Sequence, residues 1–587
     1  MAKTAAELLV DRLVDWGVNV IFGLPGDGIN GIMEALRQRQ ETIRFIQVRH
    51  EESAAFMACG YAKYTGKLGV CLATSGPGAI HLLNGLYDAK NDFAPVLAIT
   101  GHTYHDLIGT HYQQDVNVVG LYEDVALYNN QITGAQHVIA VTDMACRKAL
   151  SERGVAHLNF PVDLQEQTLS DDEKSMMKSG EHTSSAWTRP VLVPSDTQIA
   201  AAAELLNAEG KTAILCGQGA LGCGELLEEL AEKLGAPIIK ALLGKAVLPD
   251  NSPYTTGGIG LLGTLPSELA MEECDTLLIV GSNMPYSTYY PKAGKARAVQ
   301  IDCNPANIGW RYPVEIGLAG DAGATLERLL PMIDERSDRS FLEKAQERMN
   351  DWRETEAGRG TRDDVPLKPQ VVVRTLSDVI DDVAIISADC GTNTFWAARG
   401  IEIKQDQKFS CSGTLATMAC GLPYAIAAAV AFPDRQSVAI VGDGGFTMLM
   451  GEFATAVKYK LPLKIVILKN NSLGQIKWEQ MVFLGNPEYG CELEPIDFAK
   501  FAEACGGRGF RCEKPEDIGP AFKSALAYND GPVIVEAIVD QFEPPLPPRI
   551  SAKQALKFGE ALARGEPNGS RIALTVFRDK WNEFTGG

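Results

Sequence analysis

"VGDGGFTMLMGEFATAVKYKLPLKIVILKNNSLG", residues 441–474, sets Gly442-Asp443-Gly444-Gly445 after one apolar run, Gln436 to Val441, and Asn470-Asn471-Ser472 after the next, Leu463 to Leu468. The pattern predicts a buried strand, a helix over Met448 to Lys460 and a second buried strand, which is one βαβ unit. Such a crossover lays its strands parallel and adjacent, so Asp443 and Asn470 are expected to emerge side by side at their carboxyl ends. A carboxylate and an amide oxygen then meet beside glycine amides. Hard oxygens of this kind suit a small divalent ion such as Mg²⁺, which takes one or two carboxylates together with phosphate and water. The consecutive glycines let backbone N–H groups close on a phosphate, helped by the following helix N-terminus. Either turn alone is common punctuation in an α/β protein; the single crossover between them is what points to a metal-diphosphate site.

Working outward, 587 residues are enough for three or four domains with large cores. The 54 basic and 74 acidic side chains give a formal charge of −20 with no basic block, which argues against a nucleic-acid partner and for an acidic enzyme surface. Anionic ligands must then be held locally. The N-terminal "MAKTAAELLVDRLVDWGV" carries charges at helical spacing and lacks a signal-peptide core, and no run approaches membrane-spanning length, so the expected location is the cytoplasm. The thirteen cysteines lack CxxC pairs, and most, such as Cys71, Cys216 and Cys420, sit in apolar runs, as reduced core thiols with no catalytic or metal role would.

Three stretches alternate short apolar strands with helical patterns, which predicts an α/β protein of three doubly wound parallel-sheet domains over residues 1–170, 190–345 and 368–540. Two polar linkers separate them, "LSDDEKSMMKSGEHTSSAWTRP" and the segment around "ETEAGRGTRDDVPLKP". The tail, 541–587, opens with "EPPLPP" and places Ala573, Phe577, Trp581 and Phe584 at helical spacing, with Arg571, Arg578 and Lys580 nearby. That pattern fits a helix packed on its own core, or one docking peripherally on the inner face of a membrane.

Two further stretches carry chemistry. In "FIQVRHEESAAFMACGYAKYTG", residues 45–66, a strand through Val48 leads to a helix from about Ala54, with Glu51 at the turn between them. A carboxyl beside apolar Ala54, Ala55 and Phe56 suits proton sharing, although Glu51 and Glu52 could also complement a helix N-terminus. The middle stretch contains "ILCGQGALGCGELLEEL", a GxGxxG at Gly217, Gly219 and Gly222 between a strand and a helix. A nicotinamide dinucleotide site also wants an acid at the end of the next strand, where "APIIKAL" offers Lys240 instead.

"GDGG" followed by a helix, a strand and "NN" resembles the diphosphate motif of thiamine diphosphate enzymes, and "RHEE…A…GYA…TGK.GVC…SGPG" resembles their pyrimidine-domain signature. The resemblance implies metal ligation by Asp443, Asn470 and the backbone oxygen of Ser472, with Asn471 the alternative if the motif ending slips by one residue. It makes Glu51 the catalytic carboxyl that contacts the aminopyrimidine ring. Met418 in "SGTLATMACGLP", residues 412–423, becomes the apolar residue that holds the cofactor bent, though a methionine also fills cores anywhere. Further contacts with thiamine diphosphate are implied at Pro25 and Ser75 in the first domain, and at Gly391, Thr392, Ala416, Thr417, Gly444, Gly445, Leu473, Gly474, Gln475 and Ile476 in the third.

The later run "GIGLLG…LLIVGSNMPYSTYYP…AVQIDCNPANIG…GLAGD" resembles the FAD-binding middle domain of pyruvate oxidases and of the pyruvate:quinone oxidoreductase type, within the acetolactate synthase-like superfamily. Implied FAD contacts are Gly217, Gly219, Gly260, Leu261, Leu262, Ser282, Asn283, Met284, Pro285, Tyr286, Asp302 and Asp321, with Asp302 at the end of "AVQID" placed for a ribose hydroxyl. Two positions depart from the oxidase pattern. Gln113 stands where an aromatic is expected, leaving Gln114 as the polar substrate contact, and Gln475 stands where oxidases often carry a ring between the two cofactors. The resemblance thus implies decarboxylation of a 2-oxo acid, pyruvate foremost, with oxidation of the enamine through FAD to a quinone or other acceptor. The alternatives are a non-oxidative carboligase or decarboxylase resembling acetolactate synthase, and a non-catalytic flavin or nucleotide-binding protein. A homodimer or homotetramer with its active sites between subunits is implied as well.

Overall fold

The crossover at 437–469 forms as expected: strands Ser437–Gly442 and Lys464–Lys469 pair in parallel, from Val438 opposite Lys464 to Gly442 opposite Leu468. The helix between them begins earlier than Met448. It starts at Asp443, runs to Leu449, and resumes as Glu452–Lys458. Gly442, extended at φ −88° and ψ 158°, acts as its N-cap, and the Asp443 carboxylate complements the first turn. The same displacement occurs at Glu51, which is the first residue of the helix Glu51–Thr65 rather than part of a preceding turn. There His50 caps the helix, its Nδ1 accepting from the Glu52 N–H at 3.2 Å. Apolar periodicity begins only at Ala54, so caps and first-turn acids set both starts.

The computed structural model describes residues 2–169, 183–573 and 575. It holds three six-stranded sheets, parallel throughout, with flanking helices. The first comprises β1 (Val20–Gly23), β2 (Arg44–Gln47), β3 (Gly69–Ala73), β4 (Val96–His102), β5 (Ala126–Gln131) and β6 (Val155–Pro161), in the order 2-1-3-4-6-5. The second comprises β7 (Thr212–Cys216), β8 (Ile238–Lys240), β9 (Thr255–Gly258), β10 (Thr276–Val280), β11 (Arg297–Asp302) and β12 (Ile316–Ala319), in the order 12-11-10-7-8-9. The third comprises β13 (Ile385–Ala388), β14 (Lys408–Ser410), β15 (Ser437–Gly442), β16 (Lys464–Lys469), β17 (Arg508–Cys512) and β18 (Val533–Ile538), in the order 14-13-15-16-18-17. The third sheet therefore repeats the topology of the first strand for strand. The second reverses its order between β7 and β10, the arrangement whose crevice takes dinucleotides. The stretch read as the second linker holds the last turns of a helix, Ser340–Gly360, and the first linker lies largely outside the described residues.

The first and third sheets share one apolar core, which joins Phe22, Phe56 and Ala98 to Tyr424, Phe446 and Ile465. The Glu51–Thr65 helix sits inside it, with 12 of its 15 residues buried, and packs against the helix Gly421–Ala431. Gly60 lets them approach: a Cβ there would lie 3.0 Å from the Tyr424 ring. A buried polar knot crosses the same seam. Lys63 Nζ donates to Asp92 (2.7 Å), to the Tyr424 hydroxyl (2.7 Å) and to the Cys411 carbonyl (2.9 Å), and Tyr424 donates to Asp88. All thirteen cysteines are free and ten are buried; burial pushes the Cys216 thiol up to about 12, in keeping with inert core thiols. Among the described residues no helix is long and apolar enough to cross a membrane.

Candidate active site

At the carboxyl end of the third sheet the two loops do meet. Asp443 Oδ2 accepts from the Asn471 N–H at 2.6 Å, and Oδ1 accepts from Gly444 N–H at 3.1 Å. Asn470 Oδ1 accepts from Ser472 N–H at 3.0 Å, and the Ser472 carbonyl accepts from Gly474 N–H at 2.8 Å, so Asn470 to Gly474 wind into one tight loop. Its second residue, Asn471, takes φ +53°, a left-handed conformation that asparagine tolerates. The loop is fastened from outside, Leu473 N–H donating to Cys491 O (2.7 Å) and Leu493 N–H to Asn471 O (2.9 Å). Burial pushes the Asp443 carboxyl up to about 6; hydrogen bonds from Asn471 and Gly444 and the more distant Lys469 ammonium oppose the shift without cancelling it.

Glycines let the segments around these oxygens pack closely. A Cβ on Gly474 would lie 2.9 Å from Asn470 Nδ2 and 3.2 Å from the Thr392 methyl, so Gly391-Thr392, after β13, belongs to the same cradle. A Cβ on Gly445 would lie 2.5 Å from Asp389 Oδ2. Asp389 is a residue the sequence reading missed. It is buried, its Oδ2 has no hydrogen-bond partner, and burial pushes it up to about 7. Met418 reaches the cradle from the side: a Cβ on Gly444 would touch Leu473 at 3.0 Å and the Met418 methyl at 3.6 Å. The loop carrying Met418 is held in unusual backbone, with Ala416 at φ +55° and Ala419 at φ +77°. It is pinned by the first domain, since Asp92 accepts from Gly413 N–H (2.8 Å) and Thr414 N–H (2.9 Å) and the Asn84 amide donates to Thr417 Oγ1 (3.1 Å). Asp443, Asn470 and the Ser472 carbonyl, ringed by glycine amides, could hold a hard divalent ion and a diphosphate; the buried Asp443 charge and the missing Cβ atoms both fit such a load.

The first sheet presents a different set at its carboxyl end. Glu51 is buried, and its Oε2 lies 2.9 Å from His81 Nδ1, so carboxyl and imidazole share a hydrogen bond. The His50 and His81 rings stack with centroids 4.5 Å apart. Gly78 lets the other carboxyl oxygen approach, a Cβ there lying 3.4 Å from Glu51 Oε1. His81 was not singled out in the sequence; the signal was present in "SGPGAIH", where the Gly76-Pro77 start of the helix Pro77–His81 carries the ring back toward Glu51. Glu452 was missed too: it reaches across from the third domain and accepts from the N–H groups of Arg49 (2.8 Å) and His50 (3.0 Å), fixing the approach to Glu51. Ser75 Oγ donates to Gln114 Oε1 at 2.6 Å, with Gln114 at φ +60°, while Pro25 is exposed on the neighbouring loop. No hydrogen bond among the described residues joins the Glu51 carboxylate to the Asp443 loop. Apolar Ile80, Met448 and Ile476, on the elements that carry the two halves, are all exposed on the single chain.

Beyond the cradle, Gln475 Nε2 donates to Glu479 at 3.0 Å. The segment after it packs under the tail: Trp478 and Met481 share an apolar cluster with Phe542, Ala561 and Ile572. Phe577, Trp581 and Phe584 lie outside the described residues, and Ala573 is partly buried.

In the middle domain Gly217 and Gly219, after β7, press on Gly281, after β10. A Cβ on Gly217 would lie 2.5 Å from the Gly281 carbonyl, and Gly219 N–H donates to that carbonyl at 3.0 Å. Beside them the buried Ser282 hydroxyl has no partner. Asn283 accepts from Arg311 (3.0 Å), Met284 is buried, and Pro285 and Tyr286 are exposed. Asp302 is buried at the end of β11, where Oδ1 accepts from Asn304 N–H (2.9 Å) and the Asn307 amide (3.2 Å). Arg399 of the third domain fixes the loop with Gly260, Leu261 and Leu262, donating to the carbonyls of Leu261 and Gly263. Asp321 caps the helix Ala322–Leu329 through Ala324 N–H (3.2 Å) and meets Arg189 at 3.4 Å, so both its oxygens are occupied within the chain. Lys240, where a nicotinamide site would want an acid, is buried and ion-paired with Asp250.

Comparison with known proteins agrees with this geometry. Models of the thiamine pyrophosphate enzymes match three times: the N-terminal TPP binding domain over residues 3–121, the central domain over 199–329 and the C-terminal TPP binding domain over 389–537. YdaP of Bacillus subtilis, named as a thiamine pyrophosphate-containing protein, is 42% identical over 562 residues, 96% of each chain. Pyruvate oxidase of Lactiplantibacillus plantarum is 33% identical over 538 residues, 91% of this chain and 88% of that one. Acetolactate synthase of Mycobacterium bovis is 31% identical over 554 residues, again 91% and 88%.

Proposed function

Because the chain belongs to the thiamine pyrophosphate enzymes, we propose that it decarboxylates a 2-oxo acid, pyruvate foremost, with thiamine diphosphate held through Mg²⁺, and passes the electrons through FAD to a quinone or another acceptor. The observation that carries the thiamine diphosphate site is the meeting of Asp443 with the Asn470–Gly474 loop among glycines that let these loops approach one another. Asp443, Asn470 and the Ser472 carbonyl would hold the metal, while Gly391, Thr392, Gly444, Gly445 and Gly474 line the diphosphate. Leu473 and Met418 supply an apolar support. When bound, thiamine diphosphate supplies a nucleophilic carbon and an electron sink.

The chain's own proton chemistry rests on Glu51 and His81. A carboxyl and an imidazole 2.9 Å apart can keep one proton between them, with Glu51 buried and His81 open to solvent for exchange. Glu452 holds the backbone ahead of Glu51, so the carboxyl meets its target without a search through conformers. Ser75 and Gln114 form a polar wall for the substrate.

FAD binding is supported by the strand order of the middle sheet, by the close glycines at its reversal and by the unpartnered Ser282 hydroxyl. One observation favours a second reading, carboligation: Gln475 places a hydrogen-bonding amide where oxidases often carry a ring. The deciding experiment mixes the purified protein with pyruvate under nitrogen and follows flavin absorbance. Bleaching is expected, and Gln475→Phe is expected to accelerate it while suppressing acetolactate. Flavin that stays oxidised while acetolactate accumulates would replace the oxidase with the carboligase. We infer in addition that two copies complete each site, since no hydrogen bond among the described residues joins the Glu51 carboxylate to the Asp443 loop and Ile80, Met448 and Ile476 are exposed. Light scattering that finds an active monomer would contradict this assembly. Peripheral docking of the tail on a quinone-bearing membrane stays part of the proposal, to be tested by vesicle flotation.

A further inference from the structure

A cavity of about 390 Å³ opens on the seam between the first and third domains, at the end of the sheets away from the catalytic loops. Its place follows from its lining: Val20, Arg44 and Lys408 are the first residues of β1, β2 and β14, whereas the candidate active site is built at strand carboxyl ends. Two helices also finish there, Glu51–Thr65 at Thr65 and Gly421–Ala431 at Ala431.

Three cations line it, Arg44, Lys67 and Lys408, and among the described residues none of them is ion-paired. Arg44 and Lys67 are exposed and Lys408 is half-buried, whereas the buried Lys63, Lys240, Lys368, Lys469 and Lys477 each have a carboxylate. The two helix carboxyl ends offset part of the charge, about half a unit each. Arg435 and Asp406 act on Lys408 from beyond the lining with opposite signs. The lining stays net positive, which favours an anion. Aromatic rings make up the rest of the wall: Tyr61 and Tyr64, both buried, and Phe432, over which Lys408 Nζ sits 5.8 Å from the ring centre. The Tyr61 hydroxyl donates to Asn19 Oδ1 at 3.1 Å, leaving the Asn19 amide N–H groups as further donors on the rim. Burial and Arg435 hold the Lys408 ammonium below its usual range, a cost that an anion in the cavity would relieve.

We propose that this cavity binds a small phosphomonoester carrying an aromatic ring, its phosphate held by Arg44, Lys67 and Lys408 and its ring against Tyr61, Tyr64 and Phe432. The volume matches such a ligand. The bound molecule would join the far ends of two helices, one that begins at Glu51 and one that follows the Met418 loop.

The test is calorimetric titration of the cofactor-saturated protein with phenyl phosphate, alongside phenol and inorganic phosphate. One saturable site per chain is expected, with both controls at least about tenfold weaker. Arg44→Gln combined with Lys408→Met should weaken phenyl phosphate at least about tenfold, as removal of charge-assisted bonds does. The exposed Lys67→Glu, which leaves the packing untouched, should do the same. Absence of a saturable site, equal affinity for inorganic phosphate, or binding unchanged in the charge variants would each overturn the proposal.

Discussion

The first and third sheets follow the same path, 2-1-3-4-6-5, and neither resembles the other in what its loops carry. At the carboxyl ends of the first stand an acid, two histidines and a serine bonded to a glutamine; at those of the third stand two buried aspartates, an asparagine loop and glycines. On the proposed reading one half would move a proton and the other would grip a charged ligand. The difference teaches that fold sets the position of a site, and that loop residues set its chemistry.

The sharpest way to break this division is Glu51→Gln. Turnover should fall by about three orders of magnitude while circular dichroism stays at its wild-type value. Near-normal turnover would remove the first sheet from the chemistry. Asp443→Ala is the mirror experiment: thiamine diphosphate affinity, measured by fluorescence titration at fixed Mg²⁺, should drop at least about a hundredfold. Superimposable titrations would mean that the gripping half has been misplaced.

A smaller effect sharpens the proton half. His81→Ala should lower kcat by about tenfold to a hundredfold and alter its pH profile, with cofactor affinity unmoved. A pH profile identical to wild type would reduce His81 to packing. The smallest effect concerns Asp389 in the gripping half. Its folded-state carboxyl is pushed up to about 7, above the unfolded value, so in the cofactor-free protein it costs nothing below about pH 4 and an increasing amount up to about pH 7. Asp389→Asn keeps an acceptor for the Cys390 N–H and removes that charge. Its unfolding free energy in urea relative to wild type should therefore rise between about pH 4 and pH 7, by on the order of a few kcal/mol at most. A constant difference would show that Asp389 is neutral or solvated throughout.

The sequence made some of this legible and hid the rest for physical reasons. Asp443 and Asn470 could be joined because a single crossover fixes the strands that carry them. Three parallel sheets followed from periodicity, and Glu51 and Met418 from resemblance. What stayed hidden depends on partners distant in the chain: Glu452 reaching the Arg49 and His50 amides, Asp92 holding the Gly413 loop, Asp389 beneath Gly445. No periodicity announces a hydrogen bond between residues some hundreds of positions apart. Helix starts were missed by three to five residues because capping by His50 and Gly442 extends each helix past its apolar pattern.

The Glu51–Thr65 helix, apolar on nearly every face, also has a consequence for the timing of synthesis. Phe56 meets Tyr424 edge to face in the shared core, and Tyr424 is translated about 370 residues later. At ordinary elongation rates that is a wait of roughly 20–70 s. From Pro161 onward, the last 263 residues of that interval, the first sheet is complete in sequence yet lacks the wall that covers its central helix. The enzyme's two halves can mature only together, and the nascent chain must be shielded from aggregation until the last third of the message has been read.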